Sequence, residues 1–307
     1  MFLGIPSLED VIGGVCDALG GARFHGSPEV RFEKVERLYR NAKRDQWNLD
    51  DRRDRYFAGA ADGLGVSVEQ AGALARLFSS FYYGERGAQI ISSELVGMVP
   101  DVEASKFLAT QVVDEARHVE VFEGILGAIG RIHPMNPFLN ALLTDMSRAA
   151  HREEKLIGMN MLVEGLALSV FRAACKTLRH GLRVPEATYR AIGEPIEAIL
   201  RDESRHVGFA VIYLPDLIRT SSLRRRAEIR LRQLVWLGLL YGSLKYQQRD
   251  QETIGVDHIA VLEEVLADHE ERLAEVGGDV LVSTEKMKRF VPAVDRLVDK
   301  LLRRRAA

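Results

Sequence analysis

The sequence predicts an all-α protein, a single helical domain over its 307 residues with four long central helices and flanking ones. Three observations carry this. Proline and glycine are scarce inside long stretches. Alternation of apolar and polar residues between hairpin turns is nearly absent. No short repeat of solenoid type recurs. The chain is long enough to bury a deep core.

Residues 1–28 are glycine-rich and read as an irregular segment. A helix over 30–46 ends near Gln46 to Asp51. Residues 67–98 form a long helix opened by Ser67 with Glu69 and Gln70 close behind, a capped start, and Pro100 ends it. Asp101 caps the next helix, which runs to about Gly130. Pro134 and Pro137 mark a turn. A long apolar helix follows over 139–180. Arg183 to Pro185 break the chain again, and 186–213 is helical up to Pro215. Further helices fall at 216–250, 256–275 and 284–303. The core of interest spans about 67–215, with 216–307 as additional helices.

Composition narrows the partners. Hydrophobic residues make up 47% and charged residues 28%, with a net charge of −2. That balance gives no global field for nucleic acid. The basic run Arg224 to Arg226, with Arg230 and Arg232, reads as a solvated helix face, and Arg303 to Arg305 as a frayed end. Two distant cysteines, Cys16 and Cys175, exclude a disulfide framework and a CxxC metal knuckle. A reducing cytoplasm fits. The N-terminus lacks a basic region followed by a long apolar run, so no signal peptide is expected. No uninterrupted apolar stretch of about 18 residues predicts a membrane span.

One unit occurs twice: DEARHVEVF from Asp114 and DESRHVGFA from Asp202. On a helix, residues three apart share a face, so Glu115 with His118, and Glu203 with His206, can each clamp a metal. Two further segments offer one carboxylate each in apolar surroundings, Glu164 in MLVEGLAL and Glu85 in SSFYYGERGAQII. Four carboxylates and two neutral imidazoles carry −4, and two divalent ions cancel it. A buried cluster requires that cancellation, because an uncompensated buried charge is very costly. Oxygen-rich ligation suits iron or manganese better than structural zinc. Metal-bound histidine donates its other N–H to a partner. Asp114 and Asp202 can each reach the histidine of the other helix, with Arg117 and Arg205 balancing them.

One glutamate on each of two helices and E-x-x-H on each of two others resembles the ferritin-like di-iron carboxylate proteins. D-E-A-R-H, D-E-S-R-H, the V-E-G around Glu164, Gly84-Glu85 and K-R-D-Q-W-N (Lys43 to Asn48) are most similar to the ribonucleotide-reductase small-subunit-like ligand-binding oxidases, over about residues 35–215. The resemblance implies a ferritin-like bundle in which Glu85, Glu115 and His118 hold one metal. Glu164, Glu203 and His206 hold the other, with some carboxylates bridging. Glu94 is the rival to Glu85, set aside for its spacing and its place near Pro100. Trp47 resembles the tryptophan that meets an aspartate, here Asp202, on an electron-transfer route. The implied cofactor is Fe/Fe or Mn/Fe with dioxygen as co-substrate, an external electron donor and a homodimer.

The departures bear on function. The cross-link of those oxidases joins a valine and a tyrosine, and here these positions hold Ala88 and Met159. The reductase subunit's radical tyrosine is replaced by Phe122. The third histidine of the N-oxygenases is Ile199, and the threonine of the multicomponent hydroxylases is Leu168. The expected activity is an oxidase or oxygenase acting on an apolar or amphipathic small molecule. Iron storage and radical generation for a partner enzyme are the alternatives. Residues one turn from the ligands are expected to line the pocket: Ala88, Val121, Phe122, Met159, Leu168, Phe171 and Val207.

Overall fold

The computed structural model describes residues 29–57, 64–276 and 282–306, and these are helical with no strand among them. The expected irregular segment 1–28 and Cys16 lie outside the described residues. The helices in chain order are α1 (Glu29–Arg44), α2 (Arg53–Phe57), α3 (Val68–Met98), α4 (Val102–Ile129), α5 (Pro137–Ser147) and α6 (Arg152–Gly181). There follow α7 (Glu186–Thr220), α8 (Leu223–Tyr246), α9 (Gln248–Thr253), α10 (His258–Val276) and α11 (Thr284–Ala306).

Helices α3, α4, α6 and α7 form the core. The first two pack along their length, α6 packs on α7, and α4 meets α7 across the bundle. Two apolar clusters fill it. One contains Phe78, Phe122, Ile125, Phe171, Ile192 and Ile199. The other contains Ile91, Leu95, Phe107, Leu108, Phe209 and Tyr213. Each core helix passes from one cluster to the other, and a set of buried polar residues sits at the crossing: Glu85 on α3, Asp114, Glu115, Arg117 and His118 on α4, Asp202, Glu203, Arg205 and His206 on α7. A polar belt between two apolar halves is a costly place for charge unless that charge is compensated. α1 covers α4 and α7, while α8 joins α5 to α11 on the far side.

Local chemistry explains the boundaries, including where they depart from expectation. Ser67 and Gln70 form a reciprocal capping box: Gln70 N–H donates to Ser67 Oγ at 3.1 Å, and Ser67 N–H to Gln70 Oε1 at 3.0 Å. Asp101 takes the N-cap position of α4 but makes no side-chain cap bond; its carboxylate accepts from the Tyr213 hydroxyl instead. The single helix expected over 139–180 is two helices. Lys155 turns back and donates to the carbonyls of Met146 at 3.2 Å and Ser147 at 2.6 Å, closing the end of α5. Pro215 does not end α7, which continues to Thr220. Burial of Leu214 and Ile218 in the core outweighs the one backbone bond that proline removes. The short α2 has no strong signal in the sequence. It docks because Gly124 leaves room: a Cβ there would stand 2.5 Å from the Phe57 ring.

Helix α6 is long and apolar enough to cross a membrane, yet 67% of its most apolar window is buried inside the protein. It is also not uniformly α. Leu156–Val163 and Thr177–Gly181 wind as π-helix, and the first segment closes with Glu164 N–H donating to Met159 O. π-Turns inside α-helices recur at functional sites, and this one opens directly onto Glu164.

Candidate metal centre

All six expected ligands converge. Glu85 comes from α3, Glu115 and His118 from α4, Glu164 from α6, Glu203 and His206 from α7, and each is buried. They form two overlapping sets whose donor atoms lie within 4.8 Å of one another. One is Glu85, Glu115, His118 and Glu203, and the other is Glu115, Glu164, Glu203 and His206. Glu115 and Glu203 belong to both. Glu94 lies elsewhere, its carboxylate 2.6 Å from Lys155 Nζ and partly exposed.

The donor atoms crowd against one another. His118 Nδ1 is 3.3 Å from Glu85, 3.2 Å from Glu115 and 3.1 Å from Glu203. His206 Nδ1 is 3.1 Å from Glu115 and 3.6 Å from Glu203, without the alignment of a hydrogen bond. Both oxygens of Glu203 and Oε2 of Glu164 are likewise buried without a hydrogen-bond donor. Buried polar atoms are normally paired, and a cluster of unpaired carboxylate oxygens and an imidazole nitrogen is one that cations would satisfy. Four carboxylates and two imidazoles fit two divalent ions in charge and donor type.

Without ions, protons carry the compensation. Burial first, then the neighbouring charge of Glu203, pushes Glu164 well above the usual carboxylate range. Burial does the same to Glu85 against the opposing contact with His118. Burial alone would push both histidines down. Asp202, Glu115, Glu203 and Glu85 hold His118 well above its ordinary value, and Glu115, Asp114 and Glu203 do so for His206. Glu115 is held below the usual range despite its burial, by His206 and His118. Metal ligands must shed such protons, so ion uptake releases them and strengthens as pH rises.

Around this cluster the repeated D-E-x-R-H unit closes on itself. His118 Nε2 lies 3.2 Å from Asp202, and His206 Nε2 lies 3.3 Å from Asp114, each aspartate serving the histidine of the other helix. Arg117 donates to Asp114 and, at 3.0 Å, to Asp202; Arg205 donates to Asp202 and, at 3.4 Å, to Asp114. Trp47 Nε1 donates to Asp202 at 3.0 Å, and its ring lies 4.5 Å from the Arg117 guanidinium. Two buried amides, Gln111 and Asn160, also reach the cluster, and the sequence reading missed them. Their signal was spacing: each lies four residues before a ligand glutamate, hence near its face of the helix.

An apolar cavity of about 190 Å³ reaches the centre. Glu85, Glu164 and Glu203 line one part of it, with Phe78, Phe81, Leu166 and Val170 around it, and Lys245, Gln247 and Gln248 also border it. Of the seven residues expected to line a substrate pocket, Ala88 and Phe171 border this cavity, while Val121, Phe122, Met159, Leu168 and Val207 are buried and do not. Phe122 stands behind it, its ring 5.8 Å from those of Phe81 and Phe171. Being one turn from a cluster residue places a side chain in the bundle, but this cavity lies on the α3–α6 side, where α8, α9 and α10 contribute to its wall.

Four core helices contributing two single glutamates and two E-x-x-H pairs make a ferritin-like helical bundle. The solved structures agree on that fold. An aldehyde-deformylating oxidase from Synechococcus matches with TM-score 0.59 and 20% identity, over 74% of this chain and 98% of that one. An R2-like ligand-binding oxidase variant with a Mn/Fe cofactor matches with TM-score 0.64 and 20% identity, over 78% and 92%. Another variant of that oxidase, with an Fe/Fe cofactor, matches with TM-score 0.59 and 18% identity over the same shares. No protein-family model and no curated relative matches the chain.

Proposed function

We propose that this chain is a dioxygen-activating dimetal oxidase or oxygenase acting on a partly apolar small molecule or acyl chain. The observation that supports this most is the meeting of an apolar cavity with the buried carboxylates Glu85, Glu164 and Glu203. Two bound redox-active ions, Fe/Fe or Mn/Fe, would supply the electrons and Lewis acidity that dioxygen reduction needs. The two overlapping sets of Glu85, Glu115, His118, Glu164, Glu203 and His206 would hold them. Asp114 and Asp202 keep His118 and His206 with their Nδ1 atoms turned inward. Phe78, Phe81 and Phe171 exclude water and give an apolar substrate its surface. Trp47, bonded to Asp202 in the buried interior, would pass electrons from an external donor toward the centre.

Iron storage is the weaker reading on the same observation. Ions moving to and from a store need a path of oxygen ligands, because stripping their water against phenylalanine and leucine is costly. Radical generation for a partner is disfavoured by Phe122, which has no hydroxyl to oxidise. The solution mass separates two of these, a homodimer favouring the oxidase and a large cage favouring storage.

The test is dioxygen uptake by the reduced protein after loading with iron, or with manganese and iron. Uptake above that of the metal-free protein is expected, and metal that stays inert to dioxygen would refute the proposal. Ala88→Phe is a second test. Ala88 lies one turn beyond Glu85 on the cavity wall, so a benzyl group there fills the space while leaving every ligand in place. Metal content should stay at two equivalents, and binding of apolar ligands should weaken by about 10-fold or more, as loss of about 1.4 kcal/mol implies. Unchanged ligand binding would place the substrate elsewhere.

A further inference from the structure

Glu164 differs from the other ligands in what holds it. Gln111 Nε2 donates to Glu164 Oε1 at 2.7 Å and to Glu115 Oε1 at 3.3 Å. Asn160 Nδ2 in turn donates to Gln111 Oε1 at 3.1 Å and to the His206 backbone carbonyl at 3.4 Å. All three side chains are buried, Gln111 and Asn160 completely. The chemistry fixes the direction of this chain of bonds. Turning the Gln111 amide over would set its oxygen against two carboxylate oxygens and its NH₂ against the NH₂ of Asn160. Turning Asn160 over would set its oxygen against two other oxygens. Each amide therefore locks the next.

The outcome at Glu164 is asymmetric. One oxygen, Oε1, is taken by an amide, while Oε2 is buried with no hydrogen-bond partner. Glu85, the corresponding single glutamate on α3, meets His118 and has no amide hydrogen-bonded to it among the described residues. The π-turn belongs to the same device, since it carries Asn160 and ends where Glu164 begins.

We infer that Gln111, oriented by Asn160, is a positioning residue that commits Glu164 to offer Oε2 alone to the ion it shares with His206. The two metal positions then differ by construction, one completed by Glu85, which His118 meets, the other by Glu164, a carboxylate with a single free oxygen. This rests on the proposed dimetal centre. Groups that orient metal ligands typically change metal affinity by about 10–100-fold when removed, and here the loss falls on one position.

The experiment is anaerobic calorimetric titration of the metal-free protein with Mn(II), for the wild type, Gln111→Leu and Asn160→Ala. The wild type should take up two equivalents. Gln111→Leu, close in size but without donors, should keep the first equivalent at wild-type affinity and weaken the second by about 10–100-fold. Asn160→Ala should weaken the same equivalent by less, because Gln111 stays but is free to turn over. Gln111→Asn retains an amide one methylene short and should fall between the wild type and Gln111→Leu. Two equivalents at wild-type affinity in Gln111→Leu would overturn the inference. So would equal weakening of both positions, the result of a merely structural role. A wild-type protein that binds no Mn(II) would instead remove the dimetal centre itself.

Discussion

Glu203→Ala should strip the protein of both metals. Glu203 belongs to both ligand sets, its two oxygens are buried without hydrogen-bond donors, and both histidine Nδ1 atoms lie within 3.6 Å of it. Removing it takes a carboxylate from each ion and leaves the remaining charges out of balance. Elemental analysis after gel filtration should find almost no retained metal, and dioxygen uptake should fall to that of the metal-free protein. Glu164→Ala and His206→Ala touch one set only and should retain one equivalent or fewer. Full retention in Glu203→Ala would show that the two sets do not share a bridge there.

Asp202→Ala should cost stability more than any other single change in the belt. The Asp202 carboxylate accepts from Trp47, Arg117 and Arg205 and lies against His118, all in the buried interior. Its removal leaves two guanidiniums with one aspartate, Asp114, between them. Breaking a buried ion pair from one side typically costs about 3–5 kcal/mol, and denaturant unfolding of the metal-free protein should show a loss of that size. Arginine and histidine charges hold Asp202 below the usual carboxylate range in spite of its burial. A depressed folded-state value means that its contribution is complete above the unfolded value, near 3.8. It is lost only as pH falls from there toward the lower folded value. The difference in stability between wild type and Asp202→Ala should therefore be level from pH 5 to 7 and shrink in stronger acid.

The chemistry of the centre was legible because it repeats. Two D-E-x-R-H units on helical spacing place glutamate and histidine on one face and aspartate within reach of the opposite histidine, and the bundle brings these faces together. Glu85 and Glu164 were legible from isolation, each the single carboxylate in an otherwise largely apolar stretch. Other features depended on tertiary partners. Lys155 ends α5 through carbonyls eight and nine residues back, so the break between α5 and α6 leaves no proline or glycine behind. Pro215 looked like a stop because a local rule was applied where burial decides. Gln111 and Asn160 carry no charge, and a neutral amide in an apolar helix does not announce a ligand beside it. The cavity wall was the least legible part. Leu240, Leu244 and Gln251 come from helices beyond the resembling region, and nothing in their own sequence marks them as facing a metal centre.

The central claim is two ions sharing Glu115 and Glu203, and anomalous X-ray scattering from crystals of the metal-loaded protein tests it most directly. Data collected at the iron and manganese edges should give two peaks in the belt, one among Glu85, Glu115, His118 and Glu203, the other among Glu115, Glu164, Glu203 and His206. A single peak, or metal bound away from these six side chains, would contradict it.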